Sequence, residues 1–273
     1  MAHWSLDDIA WDRFDRAKVD PDILKIVKAA SLVEHNGYEY ARYLESVFQG
    51  DPSFQEAAWV WANEEVQHGK ALARWAKLAD PSYDFDRVFE LFASKIRLPT
   101  EATRSVRGTR TGELIARCVV EVGTSSYYTA LAAAAKEPVL QEICKHIAAD
   151  EHRHYKLFYS HLTRYIESER IGPLRRFWVA MFRLFETEDD ELAFAYYAAN
   201  HAGDGPYDRR RYKAAYVRRT YSYYRPNHVE RGIAMLLKAV GLNPQGRLSH
   251  GLSKLATRFM QSRAERLARV DVS

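Results

Sequence analysis

Apolar residues recur at three- and four-residue spacing along most of the chain, and no stretch sustains the alternation of a strand. The expected fold class is all-α, and punctuation sets the helices. Asp20-Pro21 supplies an N-cap and a proline at the first helical position, opening a helix to about Phe48, before Gly50. Asp51-Pro52 repeats the signal and opens a second helix to about Leu78, ended by Asp80-Pro81. A shorter helix from about Asp84 to Ile96 and the polar stretch LPTEATRSVRGTRTG form a crossover. A third long helix is predicted over Thr111 to Ala135, and Lys136-Glu137-Pro138 leads into a fourth, to about Glu167. Beyond Gly172-Pro173, further helices are predicted over Leu174 to Glu186, Glu191 to His201, Arg209 to Tyr224, His228 to Val240 and Leu252 to Ala268. Residues 1–170 are thus expected to form a bundle with an N-terminal extension, and residues 171–273 a helical appendage packed on it.

The long helices carry a metal-binding pattern. Glu65-Val66-Gln67-His68 and Glu151-His152-Arg153-His154 are Glu-x-x-His pairs, and each is preceded by a helix with a lone inward-looking glutamate, Glu34 or Glu121. Residues three apart on a helix lie on neighbouring turns of one face, so each carboxylate and imidazole can meet one ion. Two pairs supply a His and a Glu per metal, and Glu34 and Glu121 supply further oxygens and can bridge. Imidazole and carboxylate with open positions suit iron or manganese better than a closed structural zinc site. This is the di-metal carboxylate arrangement of ferritin-like proteins, implying a ferritin-like four-helix bundle with a crossover and additional C-terminal helices.

Composition narrows the chemistry. The 273 residues are 47% hydrophobic, enough for a full core, and contain only Cys118 and Cys144. There is no disulfide framework, rubredoxin-like pair or iron–sulfur motif, so electrons must come from another protein. The acidic N-terminus lacks a signal-peptide layout, and no apolar run reaches membrane-spanning length, so a cytoplasmic protein without a transmembrane segment is expected. Charge is uneven: Arg209 to Ser273 hold 15 Lys and Arg against three acids in a chain of net charge +4. Arg209, Arg210, Arg211, Lys213, Arg218 and Arg219 interleave with tyrosines and could dock an acidic partner, although a solvated face packed by its tyrosines explains most of the pattern. The amphipathic tail LSKLATRFMQSRAERLARV allows partner-helix packing or membrane-surface binding. No nucleic-acid role is expected.

The flanking residues resemble a known family. ICKHIAADEHRHYKLF, around Glu151 and His154, resembles the fourth ligand helix of soluble acyl-carrier-protein desaturases, with its Ile-Ala-Ala-Asp-Glu-x-Arg-His pattern. WVWANEEVQHGKAL resembles their Trp-x-x-Glu-Glu-Asn-Arg-His-Gly helix, and Thr124 follows Glu121 by three as in that family. The likeness covers roughly residues 25 to 165 and fades at Glu34 and over the C-terminal region. Gln67 stands where the desaturases have arginine, which alters the charge around one side of the metals. The ligand set is more distantly similar to aldehyde-deformylating oxygenases and, with an added histidine, arylamine N-oxygenases. His146 is the nearest candidate for that extra ligand, but its offset from Glu151 turns it away from the metal-facing side.

The resemblance implies an O2-dependent di-iron oxidase, with mixed Mn/Fe occupancy open, that desaturates a fatty acyl chain on acyl carrier protein or coenzyme A. It further implies a homodimer and an external donor such as ferredoxin. Hydroxylation, N-oxygenation or deformylation of another substrate is the alternative, as is ferritin- or rubrerythrin-like iron or peroxide handling. Asp150 and Arg153 would orient the ligand histidines by hydrogen bonding, while the neutral Gln67 could change the reduction potential. Thr124 could deliver a proton at the site or bond the preceding turn. Tyr38, Tyr128 and Cys118 are placed on or near the ligand faces, while Leu72, four residues after His68, disfavours a ribonucleotide reductase small subunit. Gly37 and Gly123 make room either for metals or for close helix packing. His35, His152 and His161 read as packed or solvent-facing.

Overall fold

The computed structural model describes residues 4–186 and 190–270, which form eleven α-helices and, among the described residues, no strand. Helices α1 (Pro21–His35), α2 (Gly37–Val47), α3 (Pro52–Ala79), α5 (Arg110–Ala134) and α6 (Pro138–Glu169) build the core, with α4 (Phe85–Lys95) on the crossover. The remainder are α7 (Pro173–Glu186), α8 (Asp190–His201), α9 (Arg209–Ser222), α10 (Pro226–Ala239) and α11 (Arg247–Val270). Helix starts are held by side-chain caps. Asp20 accepts from the amides of Asp22 and Ile23, Asp51 from Phe54, Thr109 from Gly112 and Glu137 from Leu140. Each such cap is worth about 1 kcal/mol.

α5 packs along α6, α1 and α2 along α3, and α3 against α6. Residues beyond 170 lie against this core: α7 and α10 on α5, α8 on α1, α9 on α8, and α11 on α9 and α10. Two apolar clusters result. One joins Ile26, Leu72, Trp75, Leu131 and Ile143 to Tyr196 and Tyr212 of the C-terminal helices. The other joins Leu44, Phe54, Trp61, Ile115 and Phe158 to Ala180 and Val240. Between them, at the waist of α3, α5 and α6, the buried residues are polar: Glu65, His68, Glu121, Glu151 and His154.

The first long helix is not continuous. Asn36 separates α1 from α2 with φ −78° and ψ 5°, and its amide donates back to Val33 O rather than one residue further. The break falls where the backbones of α1–α2 and α3 come closest. A Cβ on Gly37 would lie 2.8 Å from Glu65 Cβ and 3.0 Å from Ala62 O, and one on Gly69 would lie 2.6 Å from the His35 amide nitrogen. Only glycine permits that approach. The extension before α1 is also ordered, as 3-10 turns at Leu6–Asp8, Trp11–Arg13 and Arg16–Lys18. It lies against α3 and α6, with Arg16 donating to Leu78 O and the Asp15 amide to Glu137.

Candidate metal centre

Glu34 comes from the last turn of α1, Glu65 and His68 from α3, Glu121 from α5, and Glu151 and His154 from α6. All six are buried. They fall into two groups, each able to hold a metal ion: Glu34, Glu65, His68 and Glu151, and Glu65, Glu121, Glu151 and His154, with the donor atoms of a group all within 4.8 Å of one another. Glu65 and Glu151 belong to both. The bridging positions are thus those of the Glu-x-x-His glutamates, not of Glu34 and Glu121, which each serve one group. α3 and α6 are in direct contact, so their carboxylates reach the space between the groups, while Glu34 and Glu121 approach from opposite flanks.

Both imidazoles turn the same nitrogen inward. His68 Nδ1 lies 3.5 Å from Glu34 Oε2 and 3.4 Å from Glu151 Oε1; His154 Nδ1 lies 3.0 Å from Glu65 Oε1 and 3.6 Å from Glu121 Oε2. The outward nitrogens donate to carboxylates. His68 Nε2 is 2.9 Å from Asp150 Oδ2, and His154 Nε2 is 2.9 Å from Glu64 Oε2. With an ion at Nδ1, those carboxylates would hold each imidazole in the tautomer that donates from Nε2, the usual task of a ligand's outer partner. The pairing is crossed: the acid preceding Glu151 on α6 holds the α3 histidine, and the acid preceding Glu65 on α3 holds the α6 histidine. Arg153 joins the two acids, 2.7 Å from Asp150 Oδ1 and 3.3 Å from Glu64 Oε2. Glu64 was legible as the acid before Glu65, matching Asp150 before Glu151, and was overlooked.

Trp4 was the other omission. Its Nε1 donates to Asp150 Oδ2 at 2.7 Å, and its ring stacks 6.1 Å from the His68 ring with planes 3° apart. Gln67 Nε2 donates to Trp4 O at 2.8 Å, so it anchors the N-terminal segment instead of contacting a ligand. His146 stacks on Trp4 at 5.1 Å and belongs to neither ligand group. Thr124 bonds the preceding turn, its Oγ1 3.2 Å from Val120 O, and also donates to Glu151 Oε2 at 2.6 Å. Tyr128 OH donates to Glu34 Oε1 at 2.6 Å. Cys118 is buried beside Leu114 and Val119, and burial pushes its thiol well up. Tyr38, expected near the ligand face, instead points outward and donates to Asn63. A Cβ on Gly123 would touch nothing within 4 Å, so close helix packing does not require that glycine. His35 packs edge-on against Phe85 and Phe89, His161 lies against Phe54, and His152 is half-buried on α6.

In the basic region, Arg209, Arg210 and Arg211 are exposed at the start of α9, while Lys213 and Arg218 are half-buried. Arg219 is turned inward, its Nε 2.7 Å from Asp22 Oδ1 and its guanidinium over the Tyr196 ring, so its charge is spent within the fold. Tyr212 and Tyr216 are buried, packing this helix onto α8.

Comparison with known protein families finds no match, and a search among curated proteins finds no relative. The site must be tested on its own chemistry. Each of the six residues has a buried atom without a hydrogen-bond partner: Glu34 Oε2, Glu65 Oε1, His68 Nδ1, Glu121 Oε1, Glu151 Oε1 and His154 Nδ1. An orphaned buried polar atom costs about 1–3 kcal/mol, more when charged, and although His154 Nδ1 and Glu65 Oε1 lie 3.0 Å apart, the six converging atoms leave ligand capacity that bound cations could take up. Electrostatics agree. Burial and the charges of Glu151 and Glu34 push Glu65 well up, and burial raises Glu121 to about 8. Burial alone would also raise Glu151, but His154 and His68 outweigh it and hold that carboxyl well down. Without an ion the cluster is forced to keep protons on its carboxyls and imidazoles; divalent cations could take the place of those protons. The residues fit a pair of metal ions.

Proposed function

We propose that the chain is an O2-dependent non-haem di-iron oxidase on a ferritin-like four-helix bundle. Its reaction would be desaturation of a fatty acyl chain carried on acyl carrier protein or coenzyme A. The observation that carries the reading is the pair of ligand groups sharing Glu65 and Glu151, with an orphaned buried atom on every ligand. The acyl assignment rests on the likeness of the α3 and α6 segments to the desaturases. When bound, a pair of redox-active ions supplies reduction of dioxygen and oxidation of an unactivated C–H bond.

The chain's own residues set the conditions. Glu65 and Glu151 hold the two positions together, with Glu34 and His68 completing one and Glu121 and His154 the other. Asp150 and Glu64 keep each histidine in the tautomer that presents Nδ1. Thr124 can hold a proton at Glu151 Oε2, and Tyr128 can hold one at Glu34 Oε1. Apolar clusters flank the site, and the Glu64–Arg153 side is the more open to water. With two buried, separate cysteines, the chain needs a reductant such as a ferredoxin.

Iron analysis tests the reading. Protein produced with iron should hold two irons per chain, and Glu65→Ala or Glu151→Ala, which strike both groups, should abolish binding; a variant still holding two would refute the ligand assignment. Loading of many irons per chain would favour ferritin-like storage. Lipid analysis of cells expressing the chain with a reductase system tests the substrate: new unsaturated acyl chains are expected. An unchanged acyl profile beside an oxidised amine or aromatic would move the assignment to an oxygenase.

A further inference from the structure

The surface beyond the site carries an oddity of orientation. α11 buries Ser249 and Ser253 and packs Leu267 against the core, yet directs Leu248, Leu255 and Phe259 outward. α7 does likewise with Leu174, Trp178 and Phe182, spaced i, i+4 and i+8 along one side. Each of these six side chains is at least 49% exposed. Burial of large apolar groups is the main driving force of folding, so large apolar side chains displayed in a row at helical spacing point to something outside the fold.

The two helices are linked through α5 and α10. α7 and α10 both pack on α5, α11 packs on α10, and Arg176 of α7 lies against Gly241 just past the end of α10. Charge identifies the occupant. Arg247, Lys254 and Arg258 are exposed along the side of α11, Arg175 is exposed on α7, and Glu265 is the single acid in α11. Each helix therefore presents an apolar edge beside cations. Leucine, phenylalanine and tryptophan beside Arg and Lys are the composition of helices that lie in the headgroup region of an anionic bilayer.

We propose that α7 and α11 form a docking layer that rests on an anionic membrane surface, with Leu174, Trp178, Phe182, Leu255 and Phe259 entering the headgroup–acyl boundary. The surface is independent of the metal centre, so the proposal stands or falls apart from the assigned reaction.

Flotation of the full chain with vesicles tests it. Binding is expected to vesicles of phosphatidylcholine with phosphatidylglycerol, and not to phosphatidylcholine alone. Leu255→Ser and Phe259→Ser should each weaken binding by about tenfold, from the apolar area withdrawn. Both positions are exposed, so the variants should keep the wild-type circular dichroism and iron content. Lys254→Gln and Arg258→Gln, which spare the apolar edge, should each weaken binding about fivefold and flatten its salt dependence. Three results would overturn the proposal: no flotation with the anionic vesicles, equal flotation with neutral ones, or flotation untouched by the serine variants. A dimer that dissolves on Leu255→Ser with Phe259→Ser, without vesicle binding, would assign the face to a second copy and overturn it as well.

Discussion

The two halves of the candidate centre are built from the same pattern, acid-Glu-x-x-His, yet one is sealed and the other ajar. On the His68 side the outer acid, Asp150, is buried, Trp4 lies flat over the imidazole, and Gln67 ties down the segment that carries Trp4. On the His154 side the outer acid, Glu64, is 15% exposed in its side chain, and its neighbour Arg153 is 44% exposed. The motif does not distinguish them. What differs is the residue before each histidine and the stretch of chain that settles over it: glutamine leaves room and a donor for the N-terminal segment, whereas arginine reaches sideways to join the two acids. Position within a motif sets what a residue can ligate, and the covering segment sets how far water can help.

That contrast makes Asp150 the most costly outer residue to lose. Asp150→Ala strands the Trp4 indole, the outward nitrogen of His68 and part of Arg153 at once, so iron affinity should fall by about 10- to 100-fold by titration of the purified apoprotein. Glu64→Ala should lie at or below the low end of that range, because water can reach His154; equal losses from both would erase the distinction. Trp4→Ala should next destabilise the fold by about 3 kcal/mol in urea unfolding, the low end for a buried tryptophan near a chain end. No change would mean that the N-terminal segment is not a cover.

Two glycines sharpen the comparison further. Gly69→Ala places a Cβ against the backbone of His35 and should cost about 1–3 kcal/mol of thermal stability. Gly123→Ala meets nothing and should gain up to about 1 kcal/mol from helix propensity. The smallest expected effect lies away from the centre, at Asp80. Burial alone would raise its carboxyl, but the Lys28 ammonium 2.6 Å away and the Ser82 hydroxyl and amide outweigh it and hold it at about 2. Folding lowers this pKa, so the stabilisation is complete above about pH 4, where the unfolded carboxyl is ionised, and is lost as pH falls through about 2. Asp80→Asn should lessen the loss of stability over that window in acid melts, by less than any change at the centre.

Much of the helical frame was legible because its signals are local. Asp-Pro and Glu-Pro pairs cap α1, α3 and α6 where the sequence places them, within two residues at either end of each long helix except the first. That exception carries its own mark, the Asn36-Gly37 dipeptide, a turn signal set within apolar periodicity on both sides. The six residues gathered at the waist were likewise visible as a repeated spacing. What spacing does not encode is which carboxylate faces which group, since that depends on the closeness of α3 to α6 and on glycines that allow α1 to approach. Trp4 was hidden for the same reason: nothing near it in sequence indicates the histidine it covers.

The crossed pairing of Asp150 with His68 and Glu64 with His154 has a consequence for assembly. These bonds join positions 82 and 90 residues apart in sequence, and both must close together. A slip of α3 along α6 by one residue would turn its side chains by about 100° and break both bonds at once. An apolar seam tolerates such a slip far better, because one leucine fills much the same space as the next. The centre thus works as a proofreading lock on helix register, with correct alignment rewarded only when the two histidines reach their opposite acids.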